Sequence, residues 1–333
     1  MNKKNKPLTI KDIANHLGVS IATVSYALNG KKKVSVETRN KILQLVAEVG
    51  YELNGAARDL KRQTSNLIAI CLESLNGPFF SELISGIEQA ATEANYQFII
   101  ATTYGSPTSS AYKILNERRV DGAIVLAPNL ENDFLLMLAD KGLPLVVLDR
   151  HLEHPRINSI LLNNSTGIEE AIELLVAQNV VKIGYISGIA THYDSQQRSL
   201  AFHQALLRYG LTTQPEWMFA GNFRQDSGIL AGKQLLLNPD NLPQAMICAN
   251  DEMAIGLQAF LQQKHYKIPE QISIIGFDDI LIARHLQPAL STISHPKFEL
   301  GYLAIMYLLK LFNHEPAEVL QIETHFIQRQ SSV

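Results

Sequence analysis

Several short polar clusters in this chain stand where an apolar run ends, the place at which open parallel sheets present side chains to a ligand. They are Asn76-Gly-Pro-Phe-Phe80, Thr102-Thr103, Asp149-Arg150, Asn250-Asp251 and Gly276-Phe-Asp-Asp279, with Arg198 contributed by a separate helical stretch. Carboxylates, amides, a guanidinium and the flat rings of Phe79, Phe80 and Phe223 together describe a cleft for a small polar molecule. Taken singly, each has a plainer explanation. Asn250-Asp251 and Asp278-Asp279 suit helix caps, and Arg198 suits a surface ion pair. Catalysis is not expected. There is no G-x-S-x-G, no P-loop and no G-x-G-x-x-G after the first strand. Adjacent carboxylates such as Asp278 and Asp279 seldom aim at one substrate atom. His151 and His154 lie in a polar loop without the spacing of a metal pair, so neither a metal nor a cofactor is expected.

The elements that would hold such a cleft follow from periodicity. LIAICL, QFIIAT, GAIVLA and LPLVVL read as buried parallel strands separated by amphipathic helical stretches, and KIGYIS, AMICA and ISIIGF form a second set. Continuous apolar strands alternating with helices predict an α/β core, and two such sets predict two lobes. Cys71 and Cys248 each sit inside one of these apolar runs and are read as reduced core residues.

Residues 8–65 have a different character. Thr9, with Asp12 three residues on, can cap a first helix whose inward face is Ile10, Ile13, Ala14 and Leu17, and Gly18 stops it. Ser20 caps a second helix, Ile21 to Asn29, with Val24, Ala27 and Leu28 inward. A third follows Ser35 to about Val49, with Ile42, Leu45, Val46 and Val49 inward and Gly50 as its stop. Two helices joined by a short glycine-bearing turn make a helix-turn-helix, although a generic three-helix bundle would share the spacing. The outward face of the second helix favours the former. Ala22, Thr23, Ser25, Tyr26 and Asn29 are small or hydrogen-bonding and include no carboxylate, so they suit a major groove.

The stretch TIKDIANHLGVSIATVSYALNG…VSVETRNKILQLVAEVGYELNGAARDL resembles the DNA-binding head of the lactose-repressor (LacI/GalR) family. RRVDGAIVLAP, LPLVVLDR, SQQRSLAFHQAL, AMICANDEMAIG and ISIIGFDDI resemble blocks of the family's core, so the likeness spans nearly the whole chain. It implies a repressor whose dimer binds a pseudo-palindromic operator. Ile21, Ala22 and Tyr26 would read bases, while Thr9, Ser20, Thr23, Ser25 and Asn29 mainly position the backbone. Asn54 to Arg62 reads from composition as a flexible linker; the resemblance implies a hinge that becomes helical on operator DNA. Leu60 would then wedge into the minor groove, with Arg58 among the basic residues beside it. The core would be two doubly wound parallel-sheet lobes, like the sugar-binding proteins of the periplasm, joined by three crossovers. Arg198, Asn250 and Asp278 would hydrogen-bond an effector, Phe79 and Phe223 would pack on it, and His295 would lie at the lobe boundary. The implied segments are a head at 1–53, a hinge at 54–65 and a core at 66–333. Its N-lobe would take about 66–163 with 294–323, and its C-lobe about 164–293 with 324–333. Three departures stand out: Tyr26 where many members carry Arg, Gly77 where Asn often precedes Pro-Phe-Phe, and Asn163-Asn164 in place of Asp-Asn.

Charge agrees with this division. Residues 1–65 hold nine Lys and three Arg against five carboxylates, a net +7, whereas the remainder carries −10. A basic head on an acidic body fits a polyanion partner for the head alone. No apolar run approaches a membrane span, and the basic start leads into Pro7 without an apolar stretch, so a cytoplasmic protein is expected. No heptad-bearing tail precedes Val333, which favours a homodimer over a tetramer. The expected function is a DNA-binding repressor of carbohydrate-metabolism genes answering to a sugar or sugar phosphate. The alternative is a relative that answers to a purine, nucleoside or protein co-repressor. A periplasmic-type sugar-binding protein without a regulatory role fits less well, because it would lack residues 1–65.

Overall fold

Thr9 and Asp12 close the first turn of α1 (Ile10–Leu17) on each other. Thr9 N and Oγ1 donate to Asp12 Oδ2 at 2.8 and 2.7 Å, and Asp12 N donates back to Thr9 Oγ1 at 3.3 Å. The computed structural model describes residues 9–28, 33–51 and 64–333. Gly18 ends α1 at φ 65°, a backbone conformation only glycine adopts freely, and α2 (Ile21–Leu28) follows at once. Ser35 caps α3 (Val36–Glu48). Ile13, Ala14, Val24, Ala27 and Ile42 are buried where the three helices meet, with Leu17, Leu28, Leu45 and Val46 packed against them. Val49, expected inward, is instead 37% exposed: α3 ends at Glu48, and the chain then turns at Gly50.

Residues 64–333 form a second compact unit containing two six-stranded sheets. In the first sheet, β1 (Leu67–Leu72), β2 (Gln97–Thr102), β3 (Gly122–Leu126), β4 (Leu145–Leu148), β5 (Ile157–Asn163) and β11 (Val319–Glu323) are ordered β11-β5-β4-β3-β1-β2, all parallel. The second is ordered β12-β10-β9-β8-β6-β7. It comprises β6 (Ile183–Ser187), β7 (Met218–Ala220), β8 (Ala245–Cys248), β9 (Ser273–Phe277), β10 (Ser291–Ser294) and β12 (His325–Ile327). Its pairings are parallel except β10 with β12. All seven strands expected from apolar runs form. One differs in character: QFIIAT, expected to be buried, is the edge strand β2, with Ile100 36% exposed. β5, β7, β10, β11 and β12 are additional. Ser or Asn interrupts two of them, β5 and β10, and the other three are edge strands too wet on one side to read as apolar runs.

The chain passes between the sheets three times: at Asn163-Asn164, between Ser294 and Lys297, and at Thr324. Hydrogen bonds bind the first and third of these crossings to each other. Thr324 Oγ1 donates to Asn163 O at 2.7 Å and accepts from Gly167 N at 3.1 Å, while Asn163 Nδ2 donates to Glu323 at 2.8 Å. The middle crossing is anchored by Lys297, whose buried ammonium donates to the carbonyls of Asp278 at 2.6 Å and Asp279 at 3.1 Å.

Each lobe also brings two helices into backbone contact through facing glycines. A Cβ at Gly301 would stand 2.0 Å from Leu83 O, and one at Gly228 would stand 2.0 Å from Met253 O. Alanine ordinarily gains about 1 kcal/mol over glycine inside a helix. Here the added methyl meets backbone that cannot step aside, so Gly228→Ala is expected to destabilise the core by about 2 kcal/mol. Thermal unfolding of the variant checks this; an unchanged or higher melting temperature contradicts it.

Candidate ligand cleft and nucleic-acid face

Arg198 lies midway along the helix Tyr193–Arg208, and the apolar packing of that helix carries it inward to 4% exposure. A guanidinium cannot be buried without partners, and this one has several. Nε donates to Asn164 Oδ1 at 3.0 Å, and Nη1 donates to Ala249 O at 2.6 Å and Asp278 Oδ1 at 3.4 Å. Its plane lies 3.6 Å above the ring of Phe277, and Nη2 is 3.9 Å from Asp194. Arg198 is thus no surface ion-pair partner.

The other residues singled out in the core are joined to it in a chain of contacts. His295 Nε2 stands 3.8 Å from Asp278 Oδ1, and the ring of Phe79 lies 5.7 Å from that of His295. Asn250 is a cap, as its plainer reading held: Oδ1 accepts from Met253 N at 3.0 Å at the head of the helix Asp251–Gln263. Its Nδ2 also donates to Phe223 O at 2.9 Å, so the cap positions the ring. Phe223 lies over Gly188, where a Cβ would stand 2.0 Å from the ring, and stacks on His192 at 5.9 Å. Asp278-Asp279 caps no helix. Both residues have positive φ, 106° and 49°, in a turn after β9, where Asp279 takes Arg329 at 2.6 Å. Positive φ outside glycine costs of order 1–3 kcal/mol and gathers where function fixes the backbone. Phe223 at 63° and Asp149 at 53° share it.

A cavity of about 500 Å³ opens between the lobes beyond the carboxyl ends of β3 and β4. Its wall differs from the predicted set. Leu148, Asp149 and Arg150 line it from one lobe, and His192, Tyr193 and Asp194 from the other. Arg198 and Phe223 reach it only through Asp194 and His192, with Phe79, Asn250, Asp278 and His295 behind them. Asp149 is marked in the sequence by its place after a strand and Asn164 only as a departure from the family's Asp-Asn, whereas nothing singles out Asp194. The available signal was spacing, since Asp194 precedes Arg198 by four residues and so shares its helix face.

The cleft is electrostatically tense. Burial raises the Asp149 carboxyl well above the usual range, and the charge of Asp194 adds to this. Burial likewise raises Asp194, against the pull of Arg198. Asp251 is raised by burial and is held by Ile280 N at 2.8 Å and by the Thr292 hydroxyl. Burial lowers His295 and His192, which favours their neutral forms. Arg150 is occupied elsewhere, donating to Pro128 O at 2.8 Å, Asn132 Oδ1 at 3.1 Å, Ala127 O at 3.2 Å and Leu130 O. Among the described residues no group of His, Cys, Asp and Glu could hold a metal ion. Both cysteines are buried and free, with burial pushing the Cys71 thiol up to about 12.

In the head, α2 turns Ile21 (48% exposed) and Ala22 outward, beside Thr23, Ser25 and Tyr26. Ser20 Oγ accepts from Thr23 N at 3.0 Å and exchanges a 2.8 Å hydrogen bond with its hydroxyl, so both residues cap α2. The Lys33 ammonium lies 5.7 Å from the Tyr26 ring centre. Asn29, Arg58 and Leu60 lie outside the described residues. No helix among the described residues is long and apolar enough to cross a membrane.

Comparison with known proteins agrees with both units. Residues 9–54 match the model of bacterial regulatory proteins of the lacI family, and residues 172–332 match a periplasmic binding protein-like domain. The chain is 35% identical to the ribose operon repressor of Haemophilus influenzae, over 97% of this chain and 98% of that one. It is 33% identical to the HTH-type transcriptional repressor PurR of Photobacterium profundum, again over 97% and 98%. The lac repressor dimer bound to operator and the anti-inducer ONPF superposes with a TM-score of 0.86 at 27% identity, covering 98% of this chain and all of that one. These relatives are transcriptional repressors and not enzymes. With a helix-turn-helix head and a two-lobed, effector-binding core, the chain belongs to the LacI family of DNA-binding repressors.

Proposed function

We propose that this repressor works in the cytoplasm as a homodimer, controls genes of carbohydrate metabolism, and is itself controlled by a sugar or sugar phosphate held between its lobes. The observation that carries the control mechanism is the cavity wall, with Asp149 from one lobe and Asp194 from the other. A ligand touching both has an affinity that depends on how far apart the lobes stand. It can therefore shift the protein between lobe arrangements, but only as far as its affinity for them differs. The similarity to a ribose operon repressor supports a sugar, and that to an operator-bound lac repressor dimer supports two heads on two half-sites.

On the DNA side, Ile21, Ala22 and Tyr26 read base edges, while Thr9, Ser20, Thr23, Ser25 and Asn29 fix the register. An exposed isoleucine beside hydroxyls, with no carboxylate on the face, is poorly suited to water and well suited to a groove. Arg58 adds charge at the hinge, and Leu60 wedges into the minor groove. On the ligand side, Phe79 and Phe223 supply flat surfaces. Arg198, Asn250, Asp278 and His295 supply polar groups that come within reach as the lobes close.

Three outcomes test this reading. Tyr26→Ala is expected to relax base preference at one position of each half-site at a cost of about 1–3 kcal/mol, read by binding to a randomised operator library; an unchanged preference contradicts the assignment. Leu60→Ala is expected to weaken operator binding far more than binding to random DNA, and equal losses would sink the wedge. Arg198→Lys keeps the buried charge but loses the planar fork. Operator affinity without ligand is expected to stay within about threefold while the ligand response falls tenfold or more. A normal response in that variant contradicts the role given to Arg198.

A further inference from the structure

We infer that the cleft accepts an uncharged, hydroxyl-rich ligand and rejects the phosphorylated form of the same molecule. This rests on the reading of the interlobe cavity as the effector site and decides between the two kinds of sugar ligand that reading admits.

The carboxylates of the wall come first. Asp149 and Asp194 line the cavity from opposite lobes, close enough to pair with each other. Carboxyl oxygens accept hydrogen bonds and hydroxyl groups donate them, so a neutral polyol matches this wall.

The Arg and Lys side chains that would receive a phosphate are already matched by carbonyls or carboxylates. Arg198 is held by Asn164, Ala249, Asp278 and the face of Phe277. Its remaining Nη2 edge faces the Asp194 carboxylate at 3.9 Å, so a hydroxyl can share it but a phosphate must compete with that charge. Arg150 is held by Asn132 and three carbonyls. Lys297 is bonded to the carbonyls of Asp278 and Asp279, with Glu82 at 3.7 Å. Burial favours neutral His192. Glu131 and Asp133 add further carboxylates at the cavity wall.

One feature points the other way. The helix Tyr193–Arg208 presents its first turn to the cavity, and a helix N-terminus attracts anions. Asp194 stands in that first turn and supplies the negative charge itself. A phosphate, carrying about −1.5 to −2 charges at neutral pH, would have to displace or neutralise it beside Asp149.

The test is calorimetric titration of the full chain with a panel of monosaccharides and disaccharides, each alongside its phosphate ester. The expected result is binding of at least one neutral sugar and at least about 100-fold weaker binding of its phosphate. Equal or tighter binding of a phosphate overturns the inference but leaves the cleft as a ligand site. A response to no member of the panel overturns the cleft reading as well. Asp194→Asn is expected to narrow the discrimination about tenfold, and Asp149→Asn repeats the trial from the other lobe. An unchanged ratio in two folded variants overturns the assignment to these carboxylates.

Discussion

Burial of the Arg198 guanidinium is the constraint on which the cleft depends. Desolvating such a group is so unfavourable that its surroundings must supply partners in matching geometry. Those partners come from separate places in the chain: Asn164 at a crossover, Ala249 beyond β8, Asp278 beyond β9, and the ring of Phe277. One side chain thereby ties a lobe crossing to two strand ends. Asp278 meets the cation from a backbone held at positive φ, and burial favours the neutral form of His295 beside it.

In front of this centre, the cavity wall is less settled. Asp149 and Asp194 face the same space from different lobes and pair with each other, and burial raises the proton affinity of both. A ligand that touches both carboxyls interacts with two lobes at once, so its affinity depends on how the lobes stand. The crossings limit the motion that results. Thr324 binds two of them together, and Lys297 fixes the third to the turn after β9, so the lobes are joined by bonded segments and not by slack linkers.

Much of this was legible in the sequence. Capping residues and glycine stops placed α1 to α3 nearly to the residue, because those signals act within one helical turn. The seven apolar strands were equally plain. Edge strands were not: β11 pairs with β5, more than a hundred positions away, β12 pairs with β10 only across the long helix Lys297–Phe312, and nothing local marks either. The site divides along the same line. Arg198 and Asp278 drew notice through their types and places, but the burial of Arg198 depends on packing that no local pattern reports. Asp194 resembled an ordinary first-turn carboxylate until the fold set it across a cavity from Asp149.

In the proposed mechanism the cleft and the DNA-binding head share one equilibrium. Linkage makes this measurable, because an effector that changes operator affinity by some factor must have its own affinity changed by operator in the same factor. Titration of a cleft-binding sugar into the full chain, free and then saturated with a selected operator duplex, measures this directly. The account predicts two ligand affinities whose ratio matches the ratio of operator affinities with and without the sugar. Identical ligand affinities in the two titrations would contradict it.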